Sequence, residues 1–405
     1  MITRGEQMLA LRRRRMAAAH PFLRGGFRPF FFGGAAWGLV ALALWILSLP
    51  GAINLPTAFD SLAWHRHEML FGFVGAVIAG FLLTAIPNWT GRLPIAGPPL
   101  AALAGLWLAA RIAILFSASS GAFAAAALDV GFYLVLALVG AREVLAAKNR
   151  NLPVVGVVLL FAAAGALDHA GAAGLLGNAD LGWMLGLSLV VLLISLIGGR
   201  IAPSFTRNWM AKQGMGGRLP TQPGRFDLLV IAVTALALLF WIAGPAGLFT
   251  GGLLVIAASL QAVRLSRWRG YRAARDPLVL ILHVGYAWLP VGLALLGLSV
   301  AGLPIPRSAA IHALTAGAMA TMILAVMTRA SLGHTGRELR ADAATVALYA
   351  MVTVGALLRV GAPLGLADYR LTMEASALAW GGALLLFLIA YGPVLWRPRL
   401  GEAAA

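Results

Sequence analysis

Seven histidines and no cysteine bound the chemistry open to this chain. Without a thiol there is no thiolate nucleophile, thiolate-bound zinc, iron–sulfur cluster or disulfide. Any bound metal must be held by histidine, methionine, carboxylate or backbone oxygen. His65 and His67 lie in the run Trp64-His65-Arg66-His67-Glu68, and His312 occupies the same register as His67 in a later segment. Two imidazoles at equal depth on different helices can clamp a planar macrocycle edge-on, as axial bis-histidine ligation of haem iron requires. His65 is two residues from His67, about 200° around a helix. If one of the two ligates haem, the other faces a second metal or Glu68. His283, His334 and His20 fall at the opposite ends of their segments. They form a candidate second site, because imidazole suits copper, iron and zinc alike. His169 follows Asp168 at the end of an apolar stretch and is explained by a solvated helix end.

Arg200 and Arg329 fall within the last turns of apolar stretches. A buried guanidinium demands an anion or several acceptors, which haem propionates would supply. Long side chains near a helix end also reach back to water. Asp129 and Glu374 are acids at the end opposite Arg200. They are placed to carry protons towards a site there, and interfacial charge explains them equally. No P-loop, GxSxG, HExxH or haem c attachment motif occurs, so no catalytic residue is assigned.

These residues must be positioned by membrane helices. Of 405 residues, 61% are apolar and 11% charged, against about 25% charged in ordinary soluble domains, and the mean hydropathy is +0.88. A soluble core cannot absorb that much apolar surface, so the fold class is all-α integral membrane. Twelve stretches are long enough to span: 29–50, 62–86, 97–118, 123–146, 152–172, 181–205, 226–246, 248–266, 277–300, 308–332, 342–363 and 371–396. Residues 1–28 form a basic segment before them and 397–405 a short tail. The basic run Arg12–Arg15 leads into a tract broken by Pro and Arg, unlike a cleavable signal peptide. With the N-terminus inside, all of the 31 Lys and Arg fall on the inner side except Arg66, Arg111, Arg307, Arg359 and Arg370. That asymmetry places both termini in the cytoplasm. The net charge of +17 therefore reflects loops facing the anionic leaflet of the bilayer. Nucleic acid is not expected as a partner.

The chain also repeats itself. His67, Gly72 and Thr90-Gly91-Arg92 share a register with His312, Gly317 and Thr335-Gly336-Arg337. The sixth stretch fits the same register with Trp183, Ser188 and Thr206. Pro29, Pro153 and Pro277 open the first, fifth and ninth stretches at equal intervals, where proline costs nothing. Three four-helix units are expected, with a pair of six-helix halves as the alternative.

The segments HPFLRGGFRPFFFGG, AWHRHEMLFGFVGAVIAGFLLTAIPNWTGR, IGGRIAPSFTRNW, LHVGYAWLP and HALTAGAMATMILAVMTRASLGHTGR resemble the NnrS family of bacterial membrane proteins. The resemblance runs from about residue 20 to 340. It implies an inner-membrane protein containing haem (haem b) and copper, acting in nitric oxide metabolism and denitrification and protecting against nitrosative stress. It implies nitric oxide or a related small molecule as partner, and an electron donor that it does not identify. Twelve helices in three groups also resemble the catalytic subunit of haem-copper oxidases, which hold a haem between their second and tenth helices, where His67 or His65 and His312 lie here. This chain departs from that plan in having no histidine in its sixth or seventh stretch, so a standard binuclear centre is not expected. If an enzyme, the protein is a haem-dependent oxidoreductase acting on nitric oxide. The alternatives are a transporter of a metal or small anion, built on repeats with broken helices near Gly244-Pro245 and Pro290, and a non-catalytic carrier of haem or copper.

Overall fold

The computed structural model describes residues 4–401, in which helices are joined by short turns and no strand occurs. Twelve helices among the described residues are long and apolar enough to cross a bilayer. They are span 1 (Phe27–Ser48), span 2 (Ser61–Thr90), span 3 (Pro98–Leu115), span 4 (Ala122–Ala146), span 5 (Leu152–Ala172) and span 6 (Leu181–Lys212). Span 7 (Arg225–Ala243), span 8 (Leu248–Ser266), span 9 (Pro277–Val300), span 10 (Arg307–His334), span 11 (Ala343–Gly361) and span 12 (Tyr369–Trp396) follow. A further helix, Arg4–Ala18, precedes span 1. Their outward faces leave Leu138, Leu239 and Leu378 largely bare of protein. At about 25 cal/mol for each Å² of apolar surface, such faces are stable against lipid and not against water. The chain is a multi-pass membrane protein.

The helices agree with the expected stretches to a few residues, but span 6 runs seven residues further and span 2 four. Hydropathy fades after Pro87 and Pro203, yet both prolines lie inside continuous helix. The Thr90 and Thr206 hydroxyls donate to the carbonyls of Ile86 and Ala202, the residues just before the two prolines, so side-chain bonds brace the helix beside each of them. Span 2 stops only at Gly91, whose φ of 65° forms a left-handed cap with its N–H donating to Pro87 O. Pro290 lies within the unbroken helix Pro277–Val300.

Spans 2, 6 and 10 each contain a widened π-helical stretch: Glu68–Val74, Ile194–Gly198 and Ala313–Met319. Such turns carry an extra residue and concentrate at functional sites. The first and third begin directly after His67 and His312. The stretch in span 6 begins thirteen residues into its helix, against seven and six in spans 2 and 10. Spans 2 and 10 thus share a π-helical stretch that starts directly after a histidine, while that of span 6 starts elsewhere.

Contacts divide the chain into two compact units, Met1–Gly186 with Ala330–Glu338 and Leu388–Ala405, and Leu187–Arg329 with Leu339–Phe387. In the first, span 2 packs on span 1, and span 4 on spans 3 and 5. In the second, spans 8 and 9 pack closely. There a Cβ on Gly251 would stand 2.5 Å from Gly297 O, the close backbone approach that small residues permit in membranes.

Candidate metal centre

The first unit gathers charged side chains from four spans. Asp60 caps span 2, its carboxylate accepting from the N–H groups of Leu62 and Ala63, and so fixes the helix start that carries His67 and Glu68. The π-helical stretch follows at once. The Phe71 carbonyl in it accepts from the Tyr133 hydroxyl, and the Gly72 carbonyl accepts from Trp107 Nε1 at 3.1 Å. Gly72 leaves room for the charged groups themselves. A Cβ there would lie 2.5 Å from Glu68 Oε2, 2.9 Å from Trp37 Nε1 and 3.0 Å from Arg111 Nη1. Span 5 supplies Asp168 and His169, held where Gly182 presses against the Asp168 backbone. Span 4 supplies Asp129 and span 3 Arg111.

Two imidazoles converge on one carboxylate oxygen. His67 Nε2 and His169 Nε2 each stand 3.2 Å from Asp129 Oδ2, and the ligand atoms of all three residues lie within 4.8 Å of one another. The other ring nitrogen of His67 is taken: Nδ1 lies 2.8 Å from Asp168 Oδ2. A carboxylate bonded to Nδ1–H leaves Nε2 as the lone-pair nitrogen, the arrangement that orients histidine towards a metal. Arg111 Nη2 donates to Asp129 Oδ1 and its Nη1 donates to Glu68 Oε2 at 2.9 Å. Trp37 Nε1 donates to the same Glu68 oxygen at 2.5 Å. Asp129 is thus gripped on one oxygen while the other faces the histidines. His67, Glu68, Arg111 and Asp129 are fully buried, and Asp168 and His169 nearly so.

A cation between the three ligands answers two features of this arrangement. The first is an orphan: His67 Nε2 is buried yet makes no hydrogen bond, despite its closeness to Asp129. Donor atoms about 2.0–2.1 Å from a tetrahedral metal lie about 3.3 Å apart, near the observed 3.2 Å. The second is charge. Glu68, Asp129 and Asp168 bring three negative charges and Arg111 one positive. In the second unit, by contrast, the buried carboxylate Asp227 is matched one to one by the buried Arg264. There Arg264 Nε donates to Asp227 Oδ1 at 2.6 Å, with Ser195 and Tyr286 accepting from Arg264 Nη1. Uncompensated buried charge costs several kcal/mol. A divalent ion there would balance the two excess negative charges. Two histidines and one carboxylate suit a transition metal and leave coordination positions open.

The other histidines have separate surroundings. His65 faces away from His67, as helix geometry requires, and stacks on Trp45 with ring centroids 4.6 Å apart. His312 donates from Nδ1 to the Ser308 carbonyl at 2.7 Å, one turn back in its own helix. His283 is buried, with Nε2 2.8 Å from the Thr206 hydroxyl, and lies close against Gly270. His334 is exposed beside the Phe27 ring. His20 accepts at Nδ1 from the Phe22 N–H and sits against Trp396. Arg200 is exposed, and the Arg329 guanidinium lies 3.9 Å from the Phe205 ring centroid.

Sequence reasoning singled out His67 but missed its companions. His169 and Asp168 read as a solvated helix end, and the structure buries both. Asp129 read as interfacial charge, and it is fully buried. The one available signal was four ionisable residues (Arg111, Asp129, Asp168 and His169) near the same ends of three consecutive apolar stretches. A family model described as NnrS protein matches residues 21–399. No significant match was found among curated proteins.

Proposed function

The chain belongs to the NnrS family, and from that premise we propose that it holds a transition metal between His67, Asp129 and His169 and uses it to bind or turn over nitric oxide. Family membership supports a membrane protein connected with nitric oxide in general. The observation that carries the finer reading is the convergence of two imidazole nitrogens on Asp129 Oδ2 in a cluster with excess negative charge. Copper or iron held there would supply an open coordination position for nitric oxide. The residues do the rest. Asp168 fixes the tautomer of His67, and Arg111 holds Asp129 so that only Oδ2 faces the ion. Phe59 and Phe71 flank His67 and exclude water. Nitric oxide is small and uncharged, so it reaches a buried site through the bilayer without a polar channel.

The same proposal includes haem b, which His312 would hold. Because Nδ1–H is given to Ser308, Nε2 carries the lone pair, the tautomer that ligates iron. His67 has its Nε2 turned to Asp129. In this reading the protein lies in the inner membrane with both termini cytoplasmic, a topology that the arginine distribution supports. It defends the cell against nitrosative stress.

Optical and electron paramagnetic resonance spectra of the detergent-purified protein, recorded with and without nitric oxide, test this. A metal signal that shifts on adding nitric oxide and disappears in His169→Ala supports the metal reading. A haem band lost in His312→Ala supports the haem assignment. Spectra that ignore nitric oxide in the metal-loaded protein refute the function.

A further inference from the structure

The turn Thr90-Gly91-Arg92 ends span 2, and Thr335-Gly336-Arg337 ends span 10 at the same spacing that separates His67 from His312. Both glycines adopt positive φ, 65° and 74°, so the two helices finish in the same left-handed turn. The arginines then part ways. Arg92 Nε donates to Glu143 Oε2 at 2.5 Å, and Glu143 is buried in span 4. Arg337 makes no ion pair among the described residues, and its Nη1 is buried without a hydrogen-bond partner. The residue in register with Glu143 is Leu388.

More positive charge lies beside this turn. The Leu400 N–H donates to the Thr335 carbonyl at 2.9 Å, laying Arg399 and Leu400 over the turn. Arg399 then packs on Gly336, with Cγ and Nε 3.3 and 3.4 Å from where a Cβ would stand. The Arg397 carbonyl accepts from Arg28 Nη1 at 2.7 Å, and the Leu395 carbonyl does the same, which pins Arg397 in place. Burial and then the nearby Arg397 push the Arg337 guanidinium below its ordinary value. Like charges held together by backbone hydrogen bonds repel unless an anion lies among them.

We propose that Arg337, with Arg397, forms a binding site for a phosphate-bearing anion, which takes the place that Glu143 fills for Arg92. Phosphate presents several oxygens to planar guanidinium donors, so one group satisfies more than one arginine. The turn ends a membrane span, where phospholipid headgroups lie, and inorganic phosphate from solution has the same chemistry. The site is independent of the metal centre.

The test uses the full chain in detergent. Native mass spectrometry follows retained phosphatidylglycerol against phosphatidylcholine, and calorimetry follows inorganic phosphate added to delipidated protein. Phosphatidylglycerol should be retained preferentially. Losing a charge-assisted contact should weaken that retention about tenfold in Arg337→Gln. Arg337→Lys and the exposed control Arg340→Gln should keep it. Phosphate binding lost in Arg337→Gln, with no lipid preference, identifies soluble phosphate as the ligand of the same site. If Arg337→Gln fails to elute as a folded species, Arg397→Gln carries the comparison. Equal lipid retention and equal phosphate binding in wild type and in folded Arg337→Gln or Arg397→Gln overturn the proposal.

Discussion

Asp168→Asn isolates the electrostatic part of the metal site without emptying it. Asparagine has the same shape, and its carbonyl oxygen can still accept from His67 Nδ1, which now lies 2.8 Å from Asp168 Oδ2. The tautomer of His67 is therefore kept. What is lost is one negative charge behind the imidazole. A hydrogen bond to a charged group contributes about 1.5–3 kcal/mol and a neutral one about 0.5–1.5. The difference, about 1–1.5 kcal/mol, corresponds to about a tenfold loss of metal affinity. Asp168→Ala also frees the ring, and removing such a supporting group costs up to about 100-fold. Competition against a chelator of known affinity, on detergent-purified protein, measures both. The order wild type, Asn, Ala is the prediction. Unchanged affinity in a folded Asp168→Asn protein would refute the role given to Asp168. Equal losses in Asn and Ala would show that charge alone, and not ring orientation, is what Asp168 provides.

Other perturbations separate geometry from charge. Gly72→Ala places a Cβ within 3.0 Å of Glu68, Trp37 and Arg111. Overpacking of this kind costs about 1–3 kcal/mol, so thermal stability and bound metal should fall together. Gly105→Ala in span 3 meets nothing within 4 Å and should be neutral or stabilising by up to about 1 kcal/mol in the same melt. Asp129→Asn removes a ligand and leaves Arg111 with Glu68 as its only acid. It should abolish metal binding and, as one partner of a buried ion pair, destabilise by about 3–5 kcal/mol, read from the melting temperature. Asp342 caps span 11, and the Thr345 hydroxyl and N–H hold its carboxyl below the usual carboxylate range. Its stabilisation is present above the ordinary carboxylate value and fades as pH falls through the lowered one. Asp342→Ala should cost about 1 kcal/mol near neutrality and nothing in strong acid, with the ionic share kept small by solvent screening.

The spans were legible because twenty-residue apolar runs have few alternatives, and His67 was legible because an ionisable residue in such a run is costly. The helix ends beyond Pro87 and Pro203 were not, since proline reads as a stop, whereas here threonine hydroxyls bond to the backbone beside both. The partners of His67 were hidden for a different reason. Asp129, Asp168 and His169 each stand near the end of a span, where a lone charge is ordinary. Only the rotation of spans 4 and 5 about their axes turns them inward. The extra residue in Glu68–Val74 adds to the difficulty, because counting at 3.6 residues per turn loses the helix face inside a π-helical stretch.

Metal content, measured by mass spectrometry on wild type, His67→Ala and His169→Ala purified side by side, tests the central claim most directly. The account predicts one transition-metal ion per chain in wild type and its loss from both variants while they elute as folded protein. Metal retained in both folded variants, or a metal-replete preparation that takes up none in wild type, would contradict it.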